Sequence, residues 1–185
     1  MPSKKRKKQT LYTFDTQEVL QSNRQLFLYG VIDSKSANHI KQSLIAFDIV
    51  NKKQPISLWI SSVGGNVDAG FSIIEVMKNI SAPVITIISG EACSMAALIS
   101  VCGDLRYAFK DTSFWMAHPM VSGVDDYIEI IKDRTAYLEN LNNVLLKILK
   151  DNTKLSESKM KKLKTGEVWL RDEDLLTYGI VDNLL

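Results

Sequence analysis

Three stretches of the sequence hold residue types that could do chemistry together. In SGEACSMAAL (89–98) a single serine, Ser94, sits among small neighbours directly after the apolar run PVITIIS (83–89). In SSVGGN (61–66) two adjacent glycines, Gly64 and Gly65, follow another apolar run. The run SFWMAH (113–118) ends in one of only two histidines, His118, immediately before Pro119. A serine hydroxyl is a weak nucleophile and needs a positioned base and a site for a developing oxyanion. On the first turn of a helix Ser94 would meet free backbone N–H groups and the helix's partial positive charge. Ala92, Cys93, Ala96 and Ala97 are small enough to let a substrate backbone come close. The plainer reading of Ser94 is a helix N-cap. His118, at a strand end, is the candidate general base. Adjacent glycines can expose amides to an anion, or simply make a tight turn.

Other chemistries fit less well. SGEACSMAAL is not the G-x-S-x-G elbow of α/β-hydrolases, and SVGGNVDAG lacks the Lys-Ser/Thr ending of a phosphate loop. Cys93 and Cys102 form no CxxC pair and read as small buried hydrophobes of a reduced compartment, with Cys93 as nucleophile the lesser alternative. His39 falls off the apolar face of its helix and reads as solvent-facing. No metal ligand set and no cofactor are expected.

The elements that must position these residues follow from periodicity. QLFLYG (25–30) reads as a strand ended by Gly30, followed by a helix with Ala37, Ile40, Leu44 and Phe47 on one face. PISLWIS (55–61) is a second buried strand, and Val67, Phe71, Ile74 and Met77 mark the helix after the glycines. PVITIIS is a third, with a helix from about Ser94 to Val101. LRYAF (105–109) and SFWMAH are two strand-like runs joined by a short polar turn. A long helix is expected over about 125–151, with a seam of Ile128, Ile131, Leu138, Leu141, Leu145 and Ile148. At that length its far end should meet another subunit. A small helix over 172–178, stopped by Gly179, closes the chain. Apolar strands alternating with helices imply an α/β fold with largely parallel pairing.

The 185 residues, 45% hydrophobic and 24% charged, suit one soluble domain, here taken as residues 11–185 behind a basic disordered tail, 1–10. Five positive charges lie in KKRKK (4–8), so the rest of the chain is net negative although the whole is +2. Such an arm could dock nucleic acid or an acidic partner, but the remainder has no basic-aromatic pattern for nucleic acid. With no run long enough to span a membrane and no secretory signal, a cytoplasmic location is expected.

In order and spacing these pieces resemble the proteolytic subunits of the Clp protease family, within the wider ClpP/crotonase superfamily. The resemblance runs from about Gln25 to the end and rests on ISSVGGNVDAGFSIIEVM, GEACSMAAL, FWMAHPM and WLRDEDLLTYGIVDNLL. It implies a ClpP/crotonase-like α/β fold of repeated β-β-α units and a serine endopeptidase with chain order Ser, His, acid. Ser94 would be the nucleophile and His118 the base, and the amides of Gly65 and Met95 would form the oxyanion hole. The family's acid aligns with Glu167 in GEVWL, with Asp172 as the fallback. The long helix would be the handle through which rings of identical subunits join around a chamber, where extended polypeptides bind by strand addition. A Clp-type ATPase would feed that chamber. The sequence departs from the family pattern at Val63, where proline is usual, in lacking a residue between His118 and Pro119, in having Glu for Asp at 167, and in its short C-terminus.

Alternative roles for such a chain are a ClpP-like capsid or scaffold maturation protease of a tailed bacterial virus, which would need no ATPase, and a non-catalytic regulatory ring subunit. Enoyl-CoA chemistry on the crotonase fold would leave the Ser94–His118 pairing unexplained.

Overall fold

The apolar runs of the first half form three adjacent parallel strands in a computed structural model that describes residues 15–120 and 127–185. They are β1 (Gln25–Ile32), β2 (Ile56–Gly65) and β3 (Val84–Cys93). Ile56, Leu58, Ile60 and Val84 are wholly buried, as expected where helices cover a parallel sheet. A short α1 (Thr16–Ser22) precedes β1, and α2 (Ser34–Val50) and α3 (Val67–Asn79) follow β1 and β2. Helix α2 starts at a reciprocal box in which Asp33 accepts from the Ser36 amide and the Ser36 hydroxyl accepts from the Asp33 amide. Helix α3 starts where the Asn66 side chain accepts from the Ala69 amide at 2.8 Å. Ala37, Ile40 and Leu44 of α2 and Ile74 and Met77 of α3 are buried, as their spacing predicts.

The sheet forks at β3. Its first half, Ile85–Ile88, pairs with β4 (Leu105–Ala108), whereas Glu91–Cys93 pair with β5 (Phe114–Ala117). Runs 105–109 and 113–118 are therefore not partners of each other. Gly90, at φ +101, lies at the division. There the buried Ser113 hydroxyl donates to Ile88 O and accepts from the Phe109 amide. Trp115 is fully buried and donates from Nε1 to Ala97 O of α4 (Met95–Ser100), which fixes β5 against that helix. The long α5 (Ile128–Asn152) and short α6 (Glu157–Lys162) lead to β6 (Val168–Arg171), antiparallel to β5. After α7 (Glu173–Thr177), β7 (Asn183–Leu184) pairs with β4, giving the order β1-β2-β3-β4-β7 with β5 and β6 on the branch.

Several boundaries differ from the sequence reading. Strand β1 does not end at Gly30; the glycine, at φ +70, sits in a bulge between Tyr29 and Val31, and the strand continues to Ile32. Strand β2 likewise runs through both glycines. The tail 1–10 and the expected first residues of the long helix, 125–126, lie outside the described residues. Helix α5 spans 25 residues, or about 38 Å. Of its side chains, Leu145 and Leu149 enter the core, while Ile130, Tyr137 and Val144 are 40–55% exposed. Among the described residues no helix is long and apolar enough to cross a membrane.

Candidate active site

Ser94 occupies the single residue between β3 and α4, where the chain must turn sharply from strand to helix. It does so at φ 54, ψ −121, the conformation of the first central residue of a type II′ turn, which favours glycine. The serine makes no side-chain capping bond to α4, so the N-cap reading does not describe it. A strained backbone conformation at a polar residue whose hydroxyl does no capping work points to a use for that hydroxyl. The Ser94 amide donates to Met116 O at 2.8 Å and thereby ties the turn to β5.

Both glycines are demanded by close approach. A Cβ on Gly64, at φ +92, would lie 2.6 Å from Cys93 O and 2.7 Å from Ser94 Cβ. A Cβ on Gly65, at φ +154, would collide with the Ile32 backbone. The end of β2 thus lies directly against the Ser94 turn with no side chain between them.

His118 follows β5 and is half-buried. Its Nδ1 lies 2.6 Å from Pro119 O. A carbonyl oxygen can only accept, so Nδ1 carries the proton, and in the neutral ring Nε2 is left as the basic nitrogen. Gly65, Ser94, Met95 and His118 share one cleft of about 220 Å³. Its apolar wall is made by Val67, Leu98, Met120 and Leu145. Leu145 was legible as a core position of the long helix; that it also walls the cleft depends on where α5 crosses α4.

The two candidate acids lie at opposite ends of one ladder. Strands β5 and β6 pair Ala117 with Val168 and Phe114 with Arg171. His118 and Glu167 each lie one residue beyond the last pair, at the same end of the ladder. Asp172 falls beside Ser113, about 17 Å away along the strands. Glu167 is exposed, lies off the cleft wall, and accepts from Trp169 Nε1 at 2.8 Å; its carboxylate and the His118 ring are not joined. Asp172 stands at the N-cap position of α7 but makes no capping bond. It accepts from Arg171 Nε and from the Asp111 amide, and these hold its carboxyl below the usual range.

Burial first, and then the charge of Glu91, push the Cys93 thiol up to about 11. A thiol held that high is protonated near neutral pH, which speaks against Cys93 as a thiolate nucleophile. His39 is exposed on α2, as its place off the apolar face predicts. Among the described residues no three His, Cys, Asp or Glu side chains are grouped as metal ligands.

Comparison with known sequences meets this geometry over nearly the whole chain. The Clp protease family model matches residues 6–185. The chain belongs to the Clp protease family. A Clp relative from Rhodopirellula baltica, an ATP-dependent Clp protease proteolytic subunit 1, is 30% identical over 170 residues, covering 91% of this chain and 74% of its own. The ATP-dependent Clp protease proteolytic subunit of Streptococcus suis is 28% identical over 176 residues, 94% of this chain and 90% of the relative. Proteolytic subunit 2 of Treponema denticola is 27% identical over 164 residues, 88% and 82% of the two chains. The parallel sheet and its helices agree with the α/β fold of Clp proteolytic subunits.

Proposed function

We propose that the chain is the proteolytic subunit of a Clp-type serine peptidase, with Ser94 as nucleophile and His118 as general base. The observation that carries this reading is the strained Ser94 turn in a cleft shared with His118 and Gly65. In the first step His118 Nε2 takes the Ser94 hydroxyl proton as Oγ bonds to the substrate carbonyl carbon. The oxyanion that forms lies within reach of the Gly65 and Met95 amides. The imidazolium then protonates the amide nitrogen, the C–N bond breaks, and the amine leaves an acyl-serine. Water, deprotonated by the same Nε2, releases the acid and restores the serine. Glu167, at the same end of the β5–β6 ladder as His118, is the acid that would orient the ring and stabilise its charged form if Nδ1–H turns from Pro119 O to its carboxylate.

The apolar wall of Val67, Leu98, Met120 and Leu145 suits an apolar side chain next to the scissile bond. Self-association is supported by two apolar surfaces exposed among the described residues: Ile130, Tyr137 and Val144 of α5, and strand β1 at the end of the sheet order, where Phe27, Tyr29 and Val31 are 49–80% exposed. The relatives' names describe ATP-dependent subunits, and the chain has no phosphate loop of its own. We extend to it the same division of labour, with a separate Clp-type ATPase delivering unfolded polypeptide.

Labelling with a fluorophosphonate, followed by mass-spectrometric site mapping, tests the assignment. Label on Ser94 that disappears in Ser94→Ala is the expected result. An assembled oligomer that takes up no label would overturn it.

A further inference from the structure

We propose that Ser62 is a positioning residue that aims the Gly65 amide at the cleft. The inference rests on the serine-peptidase reading and adds a residue to it. Ser62 is fully buried on β2, three residues before Gly65. Its hydroxyl donates to Gly30 O at 2.5 Å and accepts from the Gly64 amide at 3.1 Å. One side chain therefore joins the β1 bulge to the glycine pair.

The reason for this bond lies in the ladder. Parallel pairing of β1 with β2 shifts between Tyr29 and Val31, and pairing of β2 with β3 shifts between Ile60 and Ser62. Where both registers slip, the Ser62 hydroxyl adds a bond to the Gly30 carbonyl and one from the Gly64 amide, just before pairing with β1 resumes at Val31 and Gly64. On the far side of Gly65 the Asn66 amide donates to Ile32 O at 2.8 Å. Backbone amides alternate edges along an extended chain. With the Gly64 amide held by Ser62 and the Asn66 amide by Ile32 O, the intervening Gly65 is the residue of this turn that lines the cleft beside Ser94, and its amide is the donor the clamp would aim there. Glycine at φ +92 and φ +154 has no Cβ to resist rotation of these peptides, so the clamp must come from elsewhere. Ser62 supplies it without touching substrate.

Loss of this clamp should weaken stabilisation of the tetrahedral intermediate and leave ground-state binding alone. In Ser62→Ala, kcat on a short peptide substrate should fall about 10–100-fold, less than the loss of a whole oxyanion donor, with KM within about twofold. Affinity for a peptide boronate that forms a tetrahedral adduct should fall by a similar factor, while a non-cleavable peptide of the same sequence binds as before. Ser62→Thr, which keeps the hydroxyl, should recover most of kcat. Ser61→Ala, one residue earlier on the opposite face of the strand, should behave as wild type. If Ser62→Ala does not fold, Ser62→Cys, similar in size but a poor acceptor, carries the test with the same expected loss. A folded, oligomeric Ser62→Ala or Ser62→Cys with wild-type kcat overturns the inference, as does a loss seen equally in KM. A wild-type oligomer without fluorophosphonate labelling at Ser94 instead overturns the peptidase reading itself, and the Ser62 role with it.

Discussion

At the scale of single residues, the site is built from backbone contacts as much as from side chains. Gly64 is the sharpest case, because a methyl group there would press on Cys93 O and on Ser94 Cβ. Gly64→Ala should abolish Ser94 labelling and lower thermal stability, both readable in one labelling and melting experiment. The acid can be assigned by a paired substitution. Glu167→Gln should reduce kcat/KM by about 100-fold or more if its carboxylate completes the triad. Asp172→Asn should leave the rate nearly unchanged, since the carboxyl it replaces bonds Arg171 and the Asp111 amide at the far end of the ladder. A steep loss in Asp172→Asn with none in Glu167→Gln would reverse the assignment.

At the scale of elements, Arg106 on β4 is the tie between α5 and the C-terminal segment. Its guanidinium donates to Asn152 O, to Gly179 O and to both oxygens of Asp182. Arg106→Ala would strand two carbonyls and a carboxylate, for a loss of about 2–3 kcal/mol in a denaturation experiment. The Arg106 hydrogen bond, with its positive charge, holds the Asp182 carboxyl below its ordinary value. A depressed folded-state value means stability that is present above the unfolded carboxylate range and lost as pH falls through the folded value. The melting temperature of Asp182→Asn should therefore lie below wild type at pH 7, and the gap should close as pH falls through and below the ordinary carboxylate range.

Elements of strong period were legible in the sequence: β2, β3, α2, α3 and the body of α5 all follow from apolar spacing. What escaped was set by tertiary pairing. Gly30 looked like a strand end because a bulge and a turn share the same residue preference. Ser62 continues the alternation of Ile56, Leu58 and Ile60 on the buried face, a signal hidden by ending the strand at Ser61. Strand β6 is four residues long, and no local pattern states that it runs against β5. Ser94, His118 and Gly65 were legible as candidates from residue type and order. The ladder position of Glu167 was not, because it depends on that unannounced pairing.

At the scale of the whole molecule, α5 carries more apolar surface than the described residues cover. Ile130, Tyr137 and Val144 face outward along it. Replacing Tyr137 and Val144 together by glutamate should shift sedimentation toward smaller species while the far-ultraviolet circular dichroism of the subunit is unchanged. Assembly that survives this pair would move the contact away from the helix. Deleting residues 1–8, with their cluster of five basic side chains, should leave short-peptide cleavage intact if the segment serves docking alone.

The turn at Ser94 also carries an evolutionary cost. At φ 54 an L-residue is held where glycine would rest easily, so the chain gives up durability at the residue proposed as its nucleophile. Ser94→Gly should be inactive yet more stable than the equally inactive Ser94→Ala, by about 1 kcal/mol. Drift toward the sturdier molecule is then always one codon away. On the peptidase reading, it is continued selection for turnover that keeps serine in that place.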